Sequence, residues 1–131
     1  MPYTILIVDD SATTRAIIKR TIQMAGVETE KLLEAPDGAQ ALDILHANKV
    51  DLGFFDINMP NMTGIELTRR LRTDTDARLR AMPVVIVSSE STASRIEQLK
   101  AEGVQGYIKK PFTPEQIRDV INSTLGVANA A

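Results

Sequence analysis

Short apolar runs alternate along the chain with longer stretches in which apolar residues recur every three or four positions. Ile5-Leu6-Ile7-Val8 predicts a strand buried on both faces. Ser11 is placed to cap the next helix, whose Ile18, Ile22 and Ala25 share a face and whose stop is Gly26. Lys31 to Ala35 predicts a weaker strand. Asp37 followed by Gln40 resembles a capping box, and Ala41, Leu42 and Leu45 line the helix it opens. Leu52-Gly53-Phe54-Phe55 predicts a third strand ending at Asp56, and Met59 to Gly64 a loop. A helix follows with Leu67 and Leu71 one turn apart, and the polar segment from Thr73 to Arg80 predicts a mobile loop. Pro83 to Val87 is the most strand-like run, β-branched and apolar. Ser91 to Ala101 predicts a helix with few apolar anchors, Ala93, Ile96 and Leu99, ended by Gly103. Gly106-Tyr107-Ile108 is a short last strand. Thr113-Pro114-Glu115-Gln116 is a strong helix start, followed by Ile117, Val120, Ile121 and Leu125 on one face.

Five β-α units with continuous apolar strands imply an α/β fold: a doubly wound parallel sheet with helices on both faces. Right-handed crossovers leave few topologies. The 131 residues suit one domain, expected over 1–126, with 127–131 a frayed tail. Composition changes little. Net charge is −2, so no global field favours nucleic acid or an anionic membrane. No cysteine is present, which excludes disulfides, thiolate metal sites and cysteine nucleophiles. The start lacks signal-peptide character, and no run approaches the roughly 20 apolar residues of a membrane span, so a cytoplasmic protein is expected. His46, the one histidine, reads as incidental. Arg69, Arg70, Arg72, Arg78 and Arg80, interleaved with Glu66, Asp74 and Asp76, read as a solvated face.

Ligands of doubly wound sheets bind at the carboxyl ends of the strands. Here those ends carry Asp9-Asp10, Asp56, Ser88 and Lys109-Lys110-Pro111. Three carboxylates in one cleft repel each other, and a hard divalent cation relieves the repulsion. Mg²⁺ takes one or two carboxylates, waters and a phosphate oxygen, so the cleft suits a metal plus a phosphoryl group. A lysine supplies a point charge, a serine a hydrogen bond, and a carboxylate is a nucleophile toward phosphorus.

These residues, with Glu34-Ala35-Pro36-Asp37-Gly38, Asp56-Ile57-Asn58-Met59-Pro60-Asn61-Met62-Thr63-Gly64, Val87-Ser88-Ser89 and Gly106-Tyr107-Ile108-Lys109-Lys110-Pro111-Phe112, are similar to the response-regulator receiver domains over Ile5 to Leu125. The resemblance implies a flavodoxin-like (βα)5 sheet of strand order 2-1-3-4-5. It implies Asp56 as phosphoacceptor, Asp9 and Asp10 as the acidic pair for Mg²⁺ with Asp56, and the backbone carbonyl of Asn58 as a further ligand. Ser88 would be the switch hydroxyl and Tyr107 the switch aromatic, turning inward on phosphorylation. Lys110, rather than its neighbour Lys109, would be the lysine of the site, with a cis peptide to Pro111. Asn58 and Glu90 would set phosphoryl lifetime; both are polar, which implies a short one.

The resemblance further implies a switch rather than an enzyme. A sensor histidine kinase would be the donor, and a target protein would bind the face made by the helix from Ser91, the last strand and the last helix. Within the family the chain most resembles the CheY-like chemotaxis regulators that bind the flagellar motor switch, and a monomer without nucleic-acid or membrane partners is expected. A phosphorelay intermediate, passing phosphate to a histidine phosphotransfer protein, is the alternative. A small Mg²⁺-dependent phosphatase using Asp56 as nucleophile is a third reading, disfavoured because Asn58 replaces the second general acid and no residues remain for a cap domain.

Overall fold

The computed structural model describes residues 3–57, 59, 62–89 and 93–125, and for 93–96 the backbone alone. Its elements are β1 (Tyr3–Val8), α1 (Ala12–Met24), β2 (Thr29–Ala35), α2 (Gly38–Ala47), β3 (Leu52–Asp56), α3 (Gly64–Arg72), α4 (Ala77–Ala81), β4 (Val84–Ser88), α5 (Ala93–Ala101), β5 (Gly106–Lys109) and α6 (Pro114–Leu125). The sheet is parallel throughout, in the order β2-β1-β3-β4-β5 expected for a flavodoxin-like fold.

The side-chain period of two splits each strand between two cores. Ile5, Ile7, Phe54, Val85 and Val87 face one way and pack with Ile18 and Ile22 of α1 and Ile117 and Ile121 of α6. Leu6, Val8, Phe55, Val84 and Ile86 face the other way, against Leu45 of α2, Leu67 and Leu71 of α3, Leu79 of α4 and Leu99 of α5. Covering both faces is why β1, β3 and β4 are apolar without alternation.

Local signals place the helix starts. The Ser11 hydroxyl accepts the Thr14 N–H, and Asp37 accepts the Gln40 N–H at 2.8 Å. The Gln40 amide returns to the Asp37 carboxylate and not to its backbone, so half of the expected box forms there. Thr113 and Gln116 form a full box on α6, with Gln116 N–H donating to Thr113 Oγ1 at 3.1 Å and Thr113 N–H to Gln116 Oε1 at 2.9 Å. Gly26, at φ +76°, follows α1 in the left-handed region that ends helices.

Two expectations need correction. The segment from Thr73 to Arg80 contains a helical turn, α4, because Asp76 accepts the Arg78 N–H at 2.9 Å and Leu79 buries itself in the core. Arg72 is not on a solvated face. Its guanidinium donates to Gly103 O at 2.7 and 3.1 Å, to Leu79 O at 3.2 Å and to Gln105 Oε1 at 2.9 Å, and burial lowers its pKa. The expected tail over 127–131 lies outside the described residues, as does Ser91 at the expected start of α5. Among the described residues no helix is long and apolar enough to cross a membrane.

Candidate functional site

Strand register assembles the site. Val8 lies beside Phe55 in the β1–β3 ladder, so the next residues, Asp9 and Asp56, sit side by side at the carboxyl edge. Asp56 pairs with Val87, which puts Ser88 one step beyond on β4. Ser88 pairs with Lys109, and Ser88 O then accepts the Lys110 N–H at 2.8 Å. Residues about 100 positions apart in the chain thus meet because parallel strands end level.

Asp9 and Ser88 are buried, at 1% and 2% exposure, and Asp56 is at 9%, while Asp10 is exposed. Carboxylate oxygens of Asp9, Asp10 and Asp56 all lie within 4.8 Å of one another. Lys110 Nζ is 3.5 Å from Asp9 Oδ2 and 3.6 Å from Asp56 Oδ1. Asp9 is further held by the Ser11 N–H, which donates to its Oδ1 at 2.8 Å. The Lys110–Pro111 peptide is cis, as the resemblance implies.

Lys109 is exposed and points away, into an open groove of about 540 Å³ beside β5 and α6 that Gln116, Asp119 and Ser123 also line. Tyr107 packs against the core, and its buried hydroxyl has no hydrogen-bond partner among the described residues. Asn58 and Glu90, and with them the Asn58 carbonyl and both lifetime positions, lie outside the described residues. So do the side chains of Ala93 and Ile96; Leu99 is buried as expected.

Sequence reasoning missed three connections. Arg15 of α1 donates from Nη1 to the Asp9 carbonyl and from Nε to Glu34 Oε1. The helical spacing from Ser11 was its one signal. Arg69 makes a bidentate pair with Glu102, both bonds 2.6 Å, which holds the Glu102 carboxyl below its usual pKa. His46 is away from the acidic cluster but not isolated: its Nε2 is 2.8 Å from Asp74 Oδ2. The Asp76 N–H and then His46 lower the Asp74 pKa.

An open parallel sheet with three carboxylates, a serine and a lysine at its carboxyl edge defines a doubly wound α/β protein with an acidic site at its strand ends. Residues 5–122 match the response regulator receiver domain family, and the chain belongs to it. It is 42% identical over 117 residues to the chemotaxis protein CheY of Pseudomonas aeruginosa, covering 89% of this chain and 91% of that one. It is 36% identical to a chemotaxis protein CheY homolog of Campylobacter jejuni, covering 95% and 94%. Among solved structures, chemotaxis response regulator CheY4 of Vibrio cholerae superposes with a TM-score of 0.83 at 30% identity, covering 95% of this chain and all of that one. The chain is a CheY-like receiver of the two-component signalling class.

Proposed function

We propose that this receiver, spanning 1–126, takes a phosphoryl group on Asp56 from a sensor histidine kinase and relays the signal in chemotaxis by binding a target protein. The observation that carries the reading is the convergence of Lys110 Nζ on Asp9 and Asp56 inside a cluster of three carboxylates. Three carboxylates against one ammonium leave a cleft of net negative charge, which a divalent cation would neutralise.

The donor set fits Mg²⁺. The coordination sphere spans about 4.2 Å from one oxygen to the opposite one. Oxygens within 4.8 Å of one another suit direct ligation by some of these carboxylates and contact through water by the rest. Asp10, exposed at the rim, and Asp56 are the proposed direct ligands, Asp9 the buried anchor, and the Asn58 carbonyl a further donor. Bound there, Mg²⁺ would offset the carboxylate repulsion and stabilise charge on phosphoryl oxygens.

An Asp56 carboxylate oxygen attacks the phosphorus of a phosphohistidine; the P–N bond breaks and the imidazole leaves with the electron pair. Lys110, freed from Asp56 by the new covalent bond, contacts a phosphoryl oxygen. The phosphoryl group carries about −1.5 to −2 charge where the free Asp56 carboxylate carried −1, and its three acceptor oxygens draw in the Ser88 hydroxyl. Tyr107 would be the aromatic half of the switch, and its buried hydroxyl, without a partner among the described residues, supports that role. The output face is the one made by α5, β5 and α6, where the groove beside Tyr107 and Lys109 opens. Water attack on the aspartyl-phosphate would be unshielded by Asn58 and Glu90, giving the short lifetime that chemotaxis needs.

The test is Mg²⁺-dependent labelling by a small phosphodonor such as acetyl phosphate. Asp56→Asn, nearly isosteric, should retain the fold by circular dichroism and lose all acid-labile phosphate. Persistent labelling of that variant would move the acceptor elsewhere. A wild-type phosphoryl lifetime of hours would favour the phosphorelay reading over chemotaxis.

A further inference from the structure

We infer that Arg15 is a positioning residue for the metal site, fixing the peptide plane between Asp9 and Asp10 and with it the aim of the Asp10 carboxylate. The inference rests on the metal reading given above.

Asp9 is gripped on every polar atom. Its N–H donates to Ala35 O at 3.1 Å, its Oδ1 accepts the Ser11 N–H at 2.8 Å, and its Oδ2 faces Lys110 at 3.5 Å. Its carbonyl accepts from Arg15 Nη1. Asp10 is the opposite case: it is exposed, and among the described residues its carboxylate has no hydrogen-bond or ion-pair partner. Nothing on its own side chain directs it toward Asp9 and Asp56. The Asp9 carbonyl and the Asp10 N–H share one rigid plane. Holding that carbonyl fixes ψ of Asp9 and with it the positions of the Asp10 N and Cα, the pivot from which the Asp10 side chain projects.

The hand that holds the carbonyl is itself anchored. Arg15 is largely buried, at 15% side-chain exposure, and its Nε is 3.2 Å from Glu34 Oε1 on β2. Lys19, one turn further along α1, is 3.3 Å from Glu34 Oε2. The planar guanidinium can serve the carbonyl and the carboxylate together, which a single ammonium cannot do in the same geometry. Glu34 also balances the Arg15 charge, so that a cation-repelling group is tolerated beside a cation site.

Two mechanisms predict opposite signs. If Arg15 acted through its charge alone, removing it would tighten Mg²⁺ binding, and a lysine would behave as the arginine does. If it acts by positioning, removing it loosens Asp10 and weakens binding.

The experiment is Mg²⁺ titration by calorimetry on wild type, Arg15→Ala, Arg15→Lys, Asp10→Ala and the Arg15→Ala/Asp10→Ala double variant, with circular dichroism and melting without Mg²⁺ as the fold control. Arg15→Ala should raise the Mg²⁺ Kd about tenfold, the scale of losses when a group orienting a ligand is removed. Arg15→Lys should weaken binding in the same direction and keeps the fold testable should the alanine variant melt. In the Asp10→Ala background the Arg15→Ala change should have no further effect, because the two act as one unit. Unchanged or tighter binding by Arg15→Ala, or losses that add with Asp10→Ala, would overturn the inference while leaving the metal site standing. A wild-type chain that binds no Mg²⁺ would overturn the metal reading and this inference with it.

Discussion

At the scale of single residues, the two lysines after β5 show how one position separates a site residue from a surface residue. Lys110 Nζ lies 3.5 and 3.6 Å from two carboxylates, whereas Lys109, the residue before it, is exposed and lines the groove beside α6. Lys110→Ala should leave labelling by acetyl phosphate largely intact, since the nucleophile and the metal ligands remain. It should reduce the phosphorylation-dependent NMR shifts of β4 and β5 amides, because the charge that senses the phosphoryl group is gone. Lys109→Ala should keep both. Full propagation of the shifts in Lys110→Ala, or their loss in Lys109→Ala, would contradict this assignment. Arg72 carries the complementary lesson. Five arginines in a charged window read as solvent-facing, but one of them is half-buried and fastens α3 to the α5–β5 turn through Gly103 O. Burying a guanidinium is tolerable where carbonyls meet its donors, and such carbonyls belong to segments that meet only in the fold.

At the scale of elements, α3 is pressed directly on the end of β3. The Gly64 N–H donates to Ile57 O at 3.2 Å, and a Cβ on Gly64 would lie 2.5 Å from Asp56 O and 3.2 Å from Ile86 Cδ1. Thr63 and Glu66 complete the start with a capping box, so the helix cannot simply begin later. Gly64→Ala must push α3 and the acceptor strand apart. The expected outcome in urea unfolding is a loss of about 1–3 kcal/mol, the scale of overpacking, with slower phosphoryl uptake at Asp56. Stability and uptake equal to wild type would show that the close approach is dispensable. The sequence marks Gly64 only as the end of a loop; the contact that excludes a side chain lies across the sheet. The α4 turn escaped notice for the related reason that five residues with a single buried leucine give no periodicity to read.

At the scale of the whole molecule, metal binding and stability are coupled. Three carboxylates brought within 4.8 Å oppose folding, and a cation bound only by the folded chain opposes that penalty. With a Kd on the order of 1 mM, about 10 mM Mg²⁺ would add roughly 1.4 kcal/mol. For a chain of this size that is a rise in Tm on the order of 2–5 °C. Asp10→Ala, left with weaker Mg²⁺ binding, should show a clearly smaller rise in Tm at the same Mg²⁺ concentration. A wild-type melting curve that ignores Mg²⁺ would reject the metal assignment.

The sequence by itself determined the strands, their parallel arrangement and all but the short α4 of the helices, because continuous apolar runs and caps at Ser11, Asp37 and Thr113 are local properties of the chain. It also named the residues of the acidic cluster, since strand ends mark the functional edge of a doubly wound sheet and the motifs at those ends are specific in combination. Only the tertiary structure decided which groups brace them. The Arg15 bond to Asp9, the seat of Arg72 between α3 and the α5–β5 turn, the Gly64 approach to Asp56 and the buried Tyr107 hydroxyl all depend on the distance and angle between elements. Those are set by packing across the two cores, and no periodicity in one segment records where another will lie.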